Sequence, residues 1–193
     1  MRYVALFLFS VMFLSPNVVL SETMDDLVER EGLYYKKFTD VPFTGKVTGV
    51  EQGSFNNGKK DGPWIGYHKN GQLFDKVDYK NGKQDGPYVG YHKNGQLWEK
   101  GDYRNGKKEG LWVRYWATGQ FMNKGNHKIM NKGNYKNGKR EGPWVSYWDK
   151  GQLNYKGSFK NGKKEGPWVN YHPEGTVDKE FTGTYKDGKK ISD

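Results

Sequence analysis

The feature that most constrains this chain is an internal period of 24 residues. Asp61-Gly62-Pro63-Trp64, Asp85-Gly86-Pro87-Tyr88 and Glu109-Gly110-Leu111-Trp112 follow one another at steps of 24. Glu141-Gly142-Pro143-Trp144 comes 32 residues later, and Glu165-Gly166-Pro167-Trp168 after 24 more. The long step has a visible source: residues 122–129, MNKGNHKI, are nearly repeated by residues 130–137, MNKGNYKN. This eight-residue tandem duplication is expected to bulge from the array as a longer loop. A fixed period means a repeat architecture, in which each unit buries its apolar side against its neighbours. Partial units at residues 53–59 and 183–189 flank the full ones.

Two turn signals recur in every unit. Asn-Gly-Lys begins at Asn57, Asn81, Asn105, Asn137 and Asn161, with Asp187 in the same place at the end. Asn-Gly-Gln begins at Asn70 and Asn94, and becomes Thr118-Gly119-Gln120, Lys150-Gly151-Gln152 and Glu174-Gly175-Thr176. Asn-Gly between apolar runs is the strongest short-range hairpin signal, because both residues accept the positive φ of a type I′ turn. Turns alternating at 13 and 11 residues leave two short strands per unit. Such turns join antiparallel neighbours, which disfavours a parallel β-helix, and the unit is too short for a propeller blade. The predicted fold is all-β: one elongated antiparallel sheet of stacked 24-residue hairpins.

Alternation along the strands then assigns faces. Trp64, Gly66 and His68 point one way, Ile65 and Tyr67 the other. The same register holds Tyr88/His92, Trp112/Trp116, Trp144/Trp148 and Trp168/His172 against a ladder of Val and Tyr. The returning strands place Leu73, Val77 and Tyr79, Leu97, Gly101 and Tyr103, and Leu153, Gly157 and Phe159 together. They are read as continuing the Val/Tyr ladder, opposite the rows of Trp and His. Residues 22–50 read as an N-terminal cap with a degenerate hairpin near Leu27–Tyr35, a short helix over 23–30 being the competing reading. The repeat array occupies 51–193.

The first 21 residues look like a targeting segment. Arg2 precedes an apolar run from Val4 to Leu14, Pro16-Asn17 interrupts it, and Val19 and Ser21 suit the −3 and −1 positions of a cleavage site. The run is short for a bilayer span. The expectation is export to a bacterial periplasm, cell surface or medium with a mature start at Glu22, an uncleaved anchor being the alternative. The whole chain carries a net charge of +10. The complete absence of cysteine excludes disulfides, thiolate metal sites, a Cys nucleophile and a lipid-modified N-terminal cysteine. Aromatics at 16% argue against disorder, and 27 glycines in 193 residues rule out a coiled coil or helical bundle.

The unit G-x-[YF]-x-N-G-K-x-x-[DE]-G-P-W-V-x-Y-x-x-x-G-Q-L, as in residues 77–97 and 157–177, resembles the bacterial variant of the MORN repeat over residues 43–190. The chain also resembles the YwqK-family antitoxin group, arrays of the same variant. The MORN resemblance implies stacked hairpins that contact proteins or membrane surfaces, without enzymatic activity in the repeats.

No catalytic constellation emerges from the residues. His68 and His92 stand two strands apart, about 10 Å, too far to share a zinc ion. The carboxylates Asp61, Asp85, Glu109, Glu141 and Glu165 come one per unit, leading into a strand, with no nucleophile beside them. Neither a cofactor nor a metal is implied. Two surfaces are candidate binding sites. One is the aromatic face of Trp64, Tyr88, Trp112, Trp116, Trp144, Trp148 and Trp168, suited to rings or aromatic side chains of a partner. The other is a basic edge of Lys59, Lys60, Lys83, Lys107, Lys108, Lys139, Arg140, Lys163 and Lys164, repeating at about 10 Å steps. The function expected is an exported, non-enzymatic interaction module at the cell envelope that binds a protein. The alternatives are a toxin-neutralising antitoxin, or adhesion to anionic lipid or glycan through the basic edge. Nucleic acid fits an exported chain poorly.

Overall fold

A computed structural model describes residues 21–117 and 128–193 of the chain. The segment read as a leader, all but Ser21, and the first six residues of the duplication lie outside the described residues. In chain order the strands are β1 (Glu22–Thr23), β2 (Leu27–Arg30), β3 (Leu33–Lys36), β4 (Gly45–Thr48), β5 (Glu51–Asn56) and β6 (Lys59–Tyr67). They continue with β7 (Leu73–Lys80), β8 (Lys83–Tyr91), β9 (Leu97–Arg104), β10 (Lys107–Tyr115) and β11 (Ile129–Lys136). The last are β12 (Lys139–Tyr147), β13 (Leu153–Lys160), β14 (Lys163–Asn170), β15 (Gly183–Lys186) and β16 (Lys189–Ser192). Fourteen of them form one sheet, β1-β4-β5 and then in sequence to β16, while β2 and β3 pair separately. Every hairpin is antiparallel, only β1 running parallel to β4. The sheet does not close, so the predicted elongated sheet of sequential hairpins is the fold that forms.

The two turn types differ. At the Asn-Gly-Lys end both central residues are left-handed, from Asn57 (φ 49°) and Gly58 (φ 75°) to Asp187 (φ 51°) and Gly188 (φ 87°), as a type I′ turn requires. At the opposite end only the glycine is, as at Gly71 (φ 79°) and Gly151 (φ 98°). There Gly71 N–H donates to His68 O at 2.8 Å and His68 N–H to Gln72 O at 2.7 Å. The asparagine need not adopt positive φ here, which explains why Lys150 and Glu174 can replace it.

The assignment of the returning strands needs correction. Cross-strand partners share a face, and Trp64 pairs with Val77, Trp144 with Gly157 and Tyr88 with Gly101. Val77, Tyr79, Gly101, Tyr103, Gly157 and Phe159 therefore belong with the tryptophans. Leu73, Leu97 and Leu153 face the other way, opposite Tyr67, Tyr91 and Tyr147. A register shift between Gly66 and Tyr67, repeated at Gly90/Tyr91 and Ser146/Tyr147, causes the switch. One extra residue in the returning strand turns its leucine to the opposite face.

At the N-terminal end, Glu31 and Gly32 turn β2 back into β3 at φ 52° and 77°. Helix is confined to one 3₁₀ turn, Met24–Asp26, where Thr23 N–H and Oγ1–H donate to Asp26 Oδ2 at 2.8 and 2.7 Å. Tyr34 on β3 packs its ring 4.8 Å from Phe55, joining this hairpin to the apolar interior of the array.

Candidate interaction surfaces

The tryptophan rows are interior. Trp64, Tyr88, Trp112, Trp144 and Trp168 are 2–6% exposed. Each of the four indoles lies on a glycine of the preceding strand. A Cβ built on Gly53, Gly101, Gly133 or Gly157 would fall 2.2–2.3 Å from the indole carbon Cδ2. A register shift occurs beside each of these glycines. The indole N–H donates to the next carbonyl along: Trp64 to Ser54, Trp112 to Asp102, Trp144 to Asn134 and Trp168 to Ser158, at 2.9–3.2 Å. The ring thus fills the space glycine leaves and satisfies a carbonyl beside the bulge. The second unit departs at both places, with Val77 where glycine stands and Tyr88 where tryptophan does. Burial pushes the Tyr88 hydroxyl well above the usual tyrosine range, aided by the nearby carboxylates Asp75 and Glu99.

Trp116 and Trp148 do something different. Their indole N–H groups donate to Tyr147 O and Tyr171 O, one unit further on, at 3.2 and 3.1 Å. His68 and His92 place Nε2 3.1 and 3.3 Å from Tyr91 O and Tyr115 O in the same register. Imidazole and indole interchange here because each can present one ring N–H at that reach. The aromatic face is therefore brought together as a core and a set of latches between units.

The basic edge divides in two. Lys60, Lys108, Arg140 and Lys164 turn inward, with their charged groups 3.9, 3.6, 4.6 and 4.5 Å from the ring centres of Trp64, Trp112, Trp144 and Trp168. Cation–ring contacts of this kind contribute roughly 0.5–2 kcal/mol each. Burial lowers the pKa of the Lys108 and Lys164 ammonium groups, with Glu99 opposing the shift at Lys108. In the second unit Gln84 takes the inward place, a third change alongside Val77 and Tyr88. Lys59, Lys83, Lys107, Lys139 and Lys163 remain exposed on the edge.

Like charges also face each other across the hairpin ends: Lys80–Lys83, Arg104–Lys107, Lys136–Lys139, Lys160–Lys163 and Lys186–Lys189. All ten are exposed, and among the described residues none is in an ion pair. The single carboxylate of each unit is occupied elsewhere. Asp61, Asp85, Glu109, Glu141 and Glu165 accept the backbone N–H of Asn81, Asn105, Asn137, Asn161 and Asp187, at 2.8–3.2 Å. Each carboxylate thereby clamps the turn of the next unit. Sequence reasoning placed these residues correctly but missed the clamp. The signal was their fixed 20-residue separation from the next unit's asparagine, widened to 28 only across the duplication.

The opposite face is open. A row crosses it as Ile65-Lys76-Val89-Lys100-Val113-Lys132-Val145-Lys156-Val169, one residue per strand. Beside it run Pro63, Pro87, Leu111, Pro143 and Pro167, with Leu111 55% exposed. Between Leu111, Val145 and Val169 this face holds a groove of about 620 Å³. Among the described residues no three acidic or histidine side chains converge as a metal site would need.

Fold and surfaces define a β-repeat array of a kind consistent with protein interaction, with an interior built from ring-on-glycine contacts and a regular exposed face. Three of its segments, residues 60–81, 84–105 and 140–161, match the MORN repeat variant. No curated protein matches the chain.

Proposed function

We propose that the chain is an exported, non-enzymatic interaction module at the bacterial cell envelope, with a protein as its partner. The observation that supports this best is the open face. Its Val, Pro and Tyr rows are left partly exposed across successive units, and lysines stand between them. Repetition of one pattern over several units provides an extended surface, the form in which repeat arrays bind. The leader-like N-terminus supports export. The test is fractionation of the host with the intact mass of the recovered chain, combined with a photo-cross-linking residue at Val145 or Val169. A chain starting at Glu22, found outside the cytosol and cross-linked to one protein, is the expected result. A full-length cytosolic chain would overturn the envelope reading, and a co-expressed toxin would then become the first partner to seek.

The five like-charge pairs favour a second reading, adhesion to an anionic lipid or glycan surface. Like charges directly opposite one another are destabilising in a sheet, so their repetition suits an anionic partner. Binding of this kind should collapse as salt shortens the screening length from about 10 Å at 0.1 M to about 3 Å at 1 M. Binding through the Val/Pro face should survive the same change.

A further inference from the structure

Comparison of the units with one another identifies a pocket and what fills it. In the third unit Arg114 stands opposite Glu99 and Asn131. Its Nε and Nη2 donate to Glu99 Oε2 at 3.3 and 3.0 Å, and Lys108 Nζ donates to both Glu99 oxygens at 3.2 and 3.1 Å. Glu99 is 5% exposed, and only about 10 Å³ remains empty beside it.

Two units earlier the same place is built from Glu51, Lys60, Trp64, Asp75 and Tyr79, with Gly66 where Arg114 stands. Gly66 lies opposite Glu51 and Asp75, and Lys60 Nζ donates to Glu51 Oε2 at 2.8 Å. Without the arginine the place is a cavity of about 320 Å³. That is at the small end for ligand pockets and suits a side chain better than a cofactor. The unit between them does not open in this way. A Cβ on Gly90 would lie 2.6 Å from the Tyr88 hydroxyl, which covers that position.

The charges differ as the volumes do. The filled site sets two cations on one carboxylate. The open one sets one cation among two carboxylates, and among the described residues Asp75 is in no ion pair. Burial holds the Asp75 carboxyl above the usual range, with repulsion from Glu51 adding to it, as expected for a carboxylate short of a cation. A planar guanidinium can donate to carboxylates on both sides of the glycine, which an ammonium point charge does less well.

We propose that the pocket over Gly66 receives the guanidinium of an arginine side chain carried by a partner polypeptide. The proposal rests on the interaction-module reading for the source of that arginine, and it assigns a second contact, on the face opposite the Val/Pro row.

The test is a titration of the ¹⁵N-labelled protein with Ac-Gly-Arg-Gly-NH₂ and with its citrulline analogue, which keeps the shape and loses the charge. Saturable shifts at the Trp64 indole N–H and the Gly66 amide are expected with arginine, and binding about tenfold or more weaker with citrulline. Gly66→Arg should abolish binding and raise the thermal midpoint by supplying the group in cis. The first atoms its Cβ meets are the Asp75 carboxylate at 2.7 Å and the Phe74 ring at 3.4 Å, ends of side chains that can move aside. Asp75→Asn should weaken binding about tenfold, and decides the matter if Gly66→Arg does not fold. Equal response to the two peptides, no response to either, or full binding by a folded Gly66→Arg or Asp75→Asn protein would overturn the proposal. Cross-linking at Val145 is read independently, so loss of this pocket leaves the interaction reading to stand or fall by itself.

Discussion

The second unit implies that glycine and tryptophan are energetically one choice, and a double-mutant cycle at Gly53 and Trp64 tests this. In Gly53→Val the new Cβ would meet the Trp64 indole at 2.3 Å, less than any real Cβ contact. Forcing the ring aside in a packed interior costs about 1–3 kcal/mol. The displaced indole also loses its 3.2 Å bond to Ser54 O, about 1 kcal/mol more. Trp64→Tyr alone removes that bond and leaves a partial cavity, for a loss of about 2 kcal/mol. If the two effects were independent they would sum to about 4–6 kcal/mol. The double variant reproduces Val77/Tyr88, with valine filling what the indole vacates and Gly66 leaving room for the hydroxyl as Gly90 does. Its expected loss is about 1–2 kcal/mol, a coupling of about 3 kcal/mol. Urea unfolding of the four proteins by far-ultraviolet circular dichroism gives the coupling. Hydrogen exchange at the β5 and β6 amides locates it, since an array can unfold unit by unit. A coupling below about 0.5 kcal/mol would refute the ring-on-glycine account.

Trp148→His should be nearly neutral while Trp148→Phe loses about 1 kcal/mol, because only the first keeps a ring N–H for Tyr171 O; urea midpoints distinguish them. Glu141→Ala should cost about 1 kcal/mol and speed exchange of the Asn161 amide that the carboxylate holds at 2.8 Å. Asp75→Asn should stabilise the free protein at pH 7. The folded-state pKa of Asp75 lies above the ordinary 3.8, so its ionised form opposes folding, and that penalty grows as pH rises through the interval between the two values. The gain from Asp75→Asn should therefore shrink as pH falls below about 4, which thermal melts across pH would register.

Much of this fold can be read from the sequence because its turns are chemically explicit. Asn-Gly pairs at 13 and 11 residues leave a sheet little choice but to meander. The faces of the returning strands were less legible, because the register shift at Gly66/Tyr67 has no residue signature of its own. A strict alternation carries Leu73 to the same face as Val77, and the bulge separates them. The basic edge was half legible. Adjacent lysines such as Lys59 and Lys60 look equivalent in sequence, yet one is exposed beside the next turn and the other lies over an indole. The tryptophans of the candidate site were recognised as a regular row, but their spacing could not say that glycines beneath them had made room for burial. The pocket over Gly66 becomes visible only when homologous positions of different units are superposed, since a glycine in one strand and an arginine two units on carry no common motif.

The two ends of the hairpins also obey different rules of inheritance. At the Asn-Gly-Lys end the turn amides are held by the preceding unit, Gly82 by Lys60 O at 2.8 Å and Gly162 by Arg140 O at 2.9 Å, with a carboxylate beside each. A gene that gains or loses codons there breaks contacts in two units at once. At the other end the extra eight residues leave the ladder unchanged: Trp112 pairs with Gly133 as Trp64 does with Val77. Replication slippage can thus lengthen the loops on one margin by any amount, or add whole 24-residue units, and still yield a foldable product. The variable margin is where descendants of this gene can acquire new contacts, while the locked margin keeps the count.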